Sequence, residues 1–165
     1  MSTEGSRDRM LARVRAIADY QFGRGAGAGL FPDGCLFRLS QTGRVRQVIL
    51  GEERLATVRA SDGRLTLSFT GAGRLREAIL PPAYRVSIEP SVSEFIAKGK
   101  TAFAKHVVSA DPGIRAGDEV LLVTGDDELL ATGMALLSGA EMLSFNNGPA
   151  VKVRQGRESR CFQEE

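Results

Sequence analysis

Hydrophobic residues near the start of the chain recur at the three- and four-residue spacing of an amphipathic helix. This spacing predicts a helix over residues 7–20, with arginines on its opposite side. Four glycines follow within residues 21–29, and they predict a loop because glycine breaks a helix and readily adopts positive φ. The apolar side of the helix consists of Met10, Leu11, Val14, Ile17 and Ala18.

Short segments rich in β-branched and aromatic residues come next. Turn signals at Thr42-Gly43 and Asp62-Gly63 separate some of them, which predicts antiparallel strands joined by tight turns. A short helix is predicted over residues 75–80, and Pro81-Pro82 ends it because proline cannot continue a helix. The predicted strands cover residues 34–39, 45–50, 54–59 and 65–70.

The second half begins with a strand over residues 84–88 and a helix over residues 92–98. Ser91 and Glu94 have the spacing of a capping box at the start of that helix, and Gly99 is placed to cap its end. Several short strands follow, separated by turn signals at residues 111–113 and 125–127. These strands are predicted at residues 107–108, 119–124, 130–136 and 150–154.

Together these patterns predict the α+β class, with a small N-terminal α+β domain followed by a mixed β-barrel that carries a short helix. The diproline is the preferred boundary. We therefore place the domains at residues 1–82 and 83–156, with a polar tail at residues 157–165.

Charge supports the division into two units. The 165 residues are 42% hydrophobic and 25% charged, which is an ordinary globular composition. Residues 1–84 hold thirteen arginines, no lysine and eight acidic residues, a net charge of +5. Residues 85–165 hold nine basic and twelve acidic residues, a net charge of −3, so the two parts differ in sign.

Cysteine usage and hydropathy predict a cytoplasmic protein in a reducing compartment. Cys35 and Cys161 are far apart and belong to no Cys/His cluster, so neither a zinc site nor a disulfide framework is expected. No apolar run reaches the roughly 20 residues that span a bilayer, and the first residues lack the apolar core of a signal peptide. We expect no membrane, metal or cofactor.

Few residues suggest catalysis. The glycines at residues 23–28 resemble a dinucleotide fingerprint, but they follow a helix, and no helix is predicted after them to hold a pyrophosphate. The loop is better suited to bring its backbone close to a phosphate chain, with Arg24 supplying positive charge. His106 has no acidic or thiol neighbour in sequence, and the acidic clusters at residues 118–119 and 126–128 are interpreted as solvated turns. A small transferase or hydrolase with an unrecognised site is the least favoured function, because the sequence offers no pair of nucleophile and base.

Basic residues carry more information. Lys98, Lys100 and Lys105 surround a glycine and Phe103 directly after a helix. Lys152 and Arg154 alternate along a predicted strand, so they share one face. A cationic loop beside a cationic strand can follow phosphates, and the alternative is that these charges serve solubility. Phe103 is either a buried barrel residue or an exposed platform for a base.

Three blocks in the second half resemble a PUA domain, an RNA-binding barrel. They are residues 95–105 (FIAKGKTAFAK), 114–120 (IRAGDEV) and 148–154 (GPAVKVR). Residues 18–23, 42–46 and 57–63 further resemble the domain that precedes PUA in the archaeosine tRNA-guanine transglycosylases of archaea. The resemblance covers most of the chain, but it leaves out the catalytic barrel of that family with its aspartate nucleophile and zinc site.

The resemblance implies a non-catalytic protein that binds tRNA at the acceptor stem and 3′ end, as an accessory or split subunit of archaeosine-type tRNA modification. Its partners would be tRNA and a separately encoded tRNA-modifying enzyme. An alternative is a protein-interaction subunit in which strands at residues 121–123 and 129–137 form an edge. The resemblance assigns RNA binding to Lys98, Gly99, Lys100, Phe103, Lys105, Lys152 and Arg154, and charge alone adds Arg24, Arg44 and Arg46.

Overall fold

Helix α1, Thr3–Phe22, begins the fold and confirms the helical pattern, although it extends beyond the predicted residues at both ends. The computed structural model describes residues 3–159, so residues 160–165 of the predicted tail and Cys161 lie outside the described residues. The chain divides into two compact units between Ile79 and Leu80. The domain limits given above stay predictions. Helix α1 buries Leu11, Val14, Ala18 and Phe22 in the first unit.

The predicted glycine loop is wrong in its second part, because a short helix α2, Ala26–Leu30, opens there. Gly25 precedes it with a φ of 94°, a conformation that favours glycine. A Cβ atom at Gly27 would lie 2.2 Å from the carbonyl oxygen of Arg15, so α2 rests directly on the backbone of α1. Gly27, which the sequence pattern treats as a helix breaker, is instead needed for the close packing of α2 against α1.

Four antiparallel strands complete the sheet of the first unit in their sequence order. Both predicted tight turns are confirmed, since β1 pairs with β2 and β3 pairs with β4. The last strand is shorter than predicted, because Ser68 accepts a hydrogen bond from Gly71 N at 3.0 Å and starts a helix. The elements are β1 Leu36–Leu39, β2 Val45–Leu50, β3 Glu53–Val58, β4 Leu65–Leu67 and helix α3 Phe69–Ala78.

The second unit is a nearly closed β-barrel with two short helices, which confirms the predicted fold class. Its six strands follow the order β6-β10-β9-β8-β5-β7, and β5 with β8 is its parallel pair. The elements are β5 Arg85–Ile88, helix α4 Ser93–Ala97, β6 Ala102–Phe103, β7 Val107–Ala110, β8 Glu119–Val123, β9 Leu129–Ala135, helix α5 Gly139–Ser144 and β10 Pro149–Gly156. Core residues include Val86, Ile88, Ile96, Val120, Leu122, Leu130, Met142 and Val151.

The predicted capping box is wrong. Helix α4 has no side-chain cap, and Ser91 Oγ instead donates to Glu89 Oε1 at 3.1 Å. A capping box is present at α5, which the sequence did not predict: Ser138 N donates to Glu141 Oε1 at 2.9 Å, and Glu141 N donates to Ser138 Oγ at 3.2 Å. The predicted cap at Gly99 is confirmed, since it follows α4 with a φ of 97°.

Strands β8 and β9 are not edges, contrary to the alternative in which they form the edge of a protein-interaction subunit. Each pairs with a neighbour on both sides within the six-stranded sheet. Every residue of β8 is buried, and Val120 and Leu122 belong to the core of the barrel. Between residues 3 and 159, no helix has both the length and the apolar character needed to cross a membrane.

We predict that Gly27→Ala lowers the free energy of unfolding of the first unit by about 1–3 kcal/mol, because the new methyl group must push α2 away from the Arg15 carbonyl. Helix propensity alone would give the opposite sign. Urea unfolding of the full chain measures the effect. Ala28→Gly at the exposed neighbouring position is the control, and its cost should not exceed about 1 kcal/mol. Stabilisation by Gly27→Ala would contradict the packing described.

Candidate nucleic-acid interface

Pairing of β6 with β10 brings three predicted segments to one surface of the barrel. Phe103 lies opposite Pro149, and Ala102 lies opposite Val151. The end of β10 also touches the turn after α4, since a Cβ atom at Gly156 would lie 2.2 Å from the carbonyl oxygen of Ala97. The turn after α4, β6 and β10 therefore form one continuous surface.

Four lysines on these segments and on the turn that follows β6 are exposed. We call Lys98, Lys100, Lys105 and Lys152 the lysine surface. Within residues 3–159 their ammonium groups form no hydrogen bond or ion pair, although the charge of Lys105 contributes to lowering the pKa of Glu89. Gly99 holds the turn between the first two, and Lys100 N donates to the Phe95 carbonyl at 3.0 Å.

Three phenylalanines near these segments keep much of their surface in solvent. Phe103 is 44% exposed on the short strand β6, which favours an exposed platform for a base over a buried barrel residue. Phe95 and Phe145 are 57% and 45% exposed, and sequence reasoning missed both. Phe95, Ile96 and Ala97 follow one another on α4, and consecutive residues of a helix lie about 100° apart, so the sequence already indicated that the three cannot all face the core.

Arg154 is placed differently from the lysines. Its Nη1 donates to both carboxylate oxygens of Glu119, which is 4% exposed. The guanidinium thus compensates a buried charge across the sheet, a role that the strand pattern did not predict. Whether Arg154 also contacts RNA stays a proposal.

The interpretation of the acidic clusters as solvated turns holds for Asp126 and Glu128, which are exposed, but it is wrong for Glu119 and Asp127. Besides Glu119, Asp127 is paired: Arg85 Nε donates to Asp127 Oδ1 at 2.8 Å, and Arg85 is 5% exposed. In the part of the chain that the structure describes, no group of three His, Cys, Asp or Glu residues is arranged for a metal ion. The carboxylates of Glu119 and Asp127 thus have an arginine as their partner, Arg154 and Arg85 respectively.

His106 does have an acidic partner, although none is near it in sequence. Its Nδ1 contacts Glu89 Oε1, and Glu89 N donates to the His106 carbonyl at 3.0 Å. The hydrogen bond from His106, followed by that from Ser91, lowers the pKa of Glu89. The pair joins the end of β5 to the turn that carries Lys105.

In the first unit, the arginines proposed on charge alone lie in two places. Arg24 is exposed in the turn between α1 and α2. Arg44 and Arg46 line a recess of about 520 Å³ at the end of the sheet, together with hydroxyl groups of Ser40 and Thr42. Two of the three arginines are thus brought together.

Comparison with known families matches both units. Residues 12–82 match the patch-forming domain C2 of tRNA-guanine transglycosylase, and residues 84–157 match the PUA domain. The chain carries a C2 domain of the tRNA-guanine transglycosylase family followed by a PUA domain. The match lies in the C-terminal region of those enzymes, outside their catalytic barrel, and neither matched domain is a catalytic domain.

Archaeal tRNA-guanine(15) transglycosylases are close relatives of this C2–PUA chain. That of Pyrococcus abyssi is 51% identical over 151 residues, which is 92% of this chain and 26% of the relative. That of Methanothermobacter thermautotrophicus is 50% identical over 147 residues, 88% of this chain and 22% of the relative. The chain thus spans about a quarter of their length. A hypothetical protein of Pyrococcus horikoshii shares the fold, with a TM-score of 0.73, 21% identity and 94% of each chain covered.

We predict that Arg154→Met lowers the free energy of unfolding of the PUA domain by about 3 kcal/mol, because it leaves the Glu119 carboxylate buried without its partner. Chemical denaturation measures the change. Lys152→Met, two residues earlier on the same strand, is the matched control and should change stability by no more than about 0.5 kcal/mol. Equal effects of the two variants would contradict a structural role for Arg154.

Glu89 provides a pH test. Because its pKa is lower in the folded protein than the usual value of about 4.3, it stabilises the fold above about pH 4.3, and this contribution is lost as the pH falls through the lower folded pKa. His106→Ala should raise the pKa of Glu89, measured by carboxyl NMR titration. Stability should then fall less between about pH 5 and 3.

The carboxyl group of Glu141 serves as the internal reference for that titration. Its pKa is lowered by hydrogen bonds from Ser138, so the His106→Ala variant should leave it unchanged. Identical titration of Glu89 in both proteins would rule out the pairing with His106.

Proposed function

We propose that this chain is a non-catalytic tRNA-binding protein that holds the acceptor stem and 3′ end of tRNA on the lysine surface of its PUA domain. The observation that carries the proposal is this surface itself: four exposed lysines, without ion-pair partners among residues 3–159, on segments that pack against one another. The 50% identity to tRNA-guanine(15) transglycosylases supports tRNA as the RNA.

Recognition through lysines would depend on the RNA backbone and its shape. The major groove of an A-form helix is too deep and narrow for side chains to read, whereas phosphates and 2′-hydroxyls remain accessible. Lysine is a compact point charge with three donors, which suits phosphate contact without fixed geometry. Affinity should therefore fall with salt, with a slope of roughly −0.7 to −0.9 in log K for each neutralised phosphate.

Exposed phenylalanines would add contacts to unpaired nucleotides at the 3′ end. An aromatic ring accepts any base face, so Phe103 on the edge strand can stack a base without choosing its sequence. Gly99 contributes backbone that can approach a phosphate closely. Arg154 would act mainly by holding β10 in position, and Arg24, Arg44 and Arg46 would add contacts through the C2 domain.

Catalysis would belong to a separate chain. The relatives that match are named tRNA-guanine(15) transglycosylases, whereas the two domains matched in this chain are not catalytic domains. We propose that the C2–PUA chain acts in the cytoplasm as an accessory subunit, presenting tRNA to a separately encoded modifying enzyme of the archaeosine type. We propose no catalytic residue within residues 3–159.

We predict that Lys100→Glu and Lys152→Glu each weaken binding of total tRNA about tenfold at physiological salt, and that the double variant abolishes retention. Each reversal removes a phosphate contact and adds a repulsive charge. Fluorescence anisotropy with labelled tRNA measures the dissociation constant.

The matched control is Arg115→Glu, which makes the same charge change at an exposed arginine of the turn before β8. It should alter affinity no more than about twofold. The proposal fails if the wild-type protein binds no tRNA at low salt, or if Arg115→Glu weakens binding as much as the lysine reversals.

A further inference from the structure

A groove runs along helix α1 of the C2 domain, on a side of the helix that does not face the core. It has a volume of about 740 Å³ and lies between α1 and the turn that joins β3 to β4. That volume is typical of a small-molecule or single-nucleotide site. We call it the α1 groove. Its lining residues include Arg13, Ile17, Tyr20, Gly63 and Arg64.

Hydrogen bonds fix the walls of the groove. Gln21 pairs with the backbone of β4 like a strand: its Nε2 donates to the Leu65 carbonyl at 3.0 Å, and Leu65 N donates to Gln21 Oε1 at 2.7 Å. The turn opposite is closed by Gly63 N, which donates to the Arg59 carbonyl at 2.9 Å. A ligand would therefore enter a site that is already formed, which lowers the entropic cost of binding.

Charge in the α1 groove favours an anion. Arg13 is exposed on α1 and forms no ion pair within residues 3–159, and Arg64 lies across from it. Asp62 is the acid in the lining, and it is already engaged, since Arg59 Nε donates to its Oδ1 at 3.1 Å. The hydrogen bond from Arg64 N lowers the pKa of Asp62, so it remains ionised and paired with Arg59.

The recess that holds Arg44 and Arg46 adjoins this groove, because Asp62 and Gly63 line both. Cationic side chains therefore continue from the groove to the end of the sheet. Residues 1–84, which include this region, carry a net charge of +5. A polyanion longer than one nucleotide would find further partners there.

Tyr20 gives the groove a second chemical character. Its side chain is 94% exposed although it sits in the last two turns of a long helix. Arg13, Ile17 and Tyr20 lie on one face of α1, because positions four and seven apart share a face. The helical rise places Tyr20 about 10 Å from Arg13 along the axis. Proteins that bind single-stranded nucleic acid combine aromatic rings, on which the bases stack, with cationic side chains, which neutralise the phosphates. Tyr20 and the neighbouring arginines provide both.

We infer that the α1 groove binds an unpaired nucleotide of single-stranded RNA, with its base stacked on Tyr20 and the adjoining phosphates at Arg13 and Arg64. The inference rests on the proposed function in taking RNA as the ligand, but it concerns a surface of the C2 domain and not the lysine surface. An A-form duplex is the wrong ligand here, since its bases are stacked on one another and offer no free face to Tyr20.

The test uses the full chain and two probes: a fluorescein-labelled oligoadenylate of 12 nucleotides and a blunt RNA duplex of 12 base pairs, both by anisotropy. Tyr20→Ala should weaken oligoadenylate binding about tenfold, whereas Tyr20→Phe, which keeps the ring, should stay within about twofold of wild type. Duplex binding should be unchanged by either variant. A purely structural role for Tyr20 would move both probes together.

Arg13→Glu should also weaken oligoadenylate binding about tenfold. Arg7→Glu is its matched control, because it makes the same charge change at an exposed arginine of the same helix, and it should alter affinity no more than about twofold. Circular dichroism confirms that each variant is folded. Exposed positions such as these are expected to tolerate substitution.

The outcomes separate the two proposals. Oligoadenylate binding that is unchanged in Tyr20→Ala and Arg13→Glu overturns the groove inference, while loss of tRNA binding in the lysine double variant still supports the proposed function. Failure of the wild-type chain to bind either probe or tRNA overturns both. If Tyr20→Ala leaves oligoadenylate binding intact and instead breaks a dimer in sedimentation equilibrium, the groove holds a second copy of the chain and the inference is wrong.

Discussion

Close contact between the last strand and the turn after α4 is the constraint on which the candidate interface depends. Strand β10 pairs with β9 on one side and β6 on the other, and its end meets the carbonyl of Ala97 at a distance that leaves no room for a side chain at Gly156. Lys100 and Lys152, which are 52 residues apart in sequence, reach one surface because β10 pairs with β6 and because its end contacts Ala97. The pair of buried Glu119 and partly exposed Arg154 stabilises the same strand from within the sheet.

The two domains use their cations differently. In the PUA domain the exposed lysines lie on segments shaped by backbone contacts, and the arginines Arg85 and Arg154 are paired with carboxylates. Arginine suits such pairs because its planar guanidinium donates several hydrogen bonds in fixed directions. In the C2 domain every basic residue is an arginine, and several line the connected recesses around Gly63. The candidate backbone contacts of the PUA domain are therefore lysines, whereas Arg85 and Arg154 form structural pairs and several arginines of the C2 domain line recesses.

Much of the fold follows from local pattern, and the failures have physical causes. The strand at Val45–Leu50 and the hairpin turns were predictable because alternation and turn residues act within a few positions. Helix α2 was not predicted because the glycines around Gly27 indicate backbone flexibility. In the structure, the small size of Gly27 matters instead, since it lets α2 touch α1. Ser91 has capping spacing, but α4 begins only at Ser93, and the Ser91 hydroxyl donates to Glu89 instead of accepting from a backbone N–H of the helix. Pairs such as Glu119 with Arg154, or Glu89 with His106, join distant residues, and no local pattern reveals them.

The most direct test of the central claim is to map the amide NMR shifts of the full chain on titration with an acceptor-stem minihelix that ends in its single-stranded 3′ tail. The account predicts that the largest changes fall in residues 98–105 and 148–154, the turn after α4, β6 and the start of β10. Changes confined to the turn between β8 and β9 at residues 124–128, or absent from the PUA domain altogether, would contradict it.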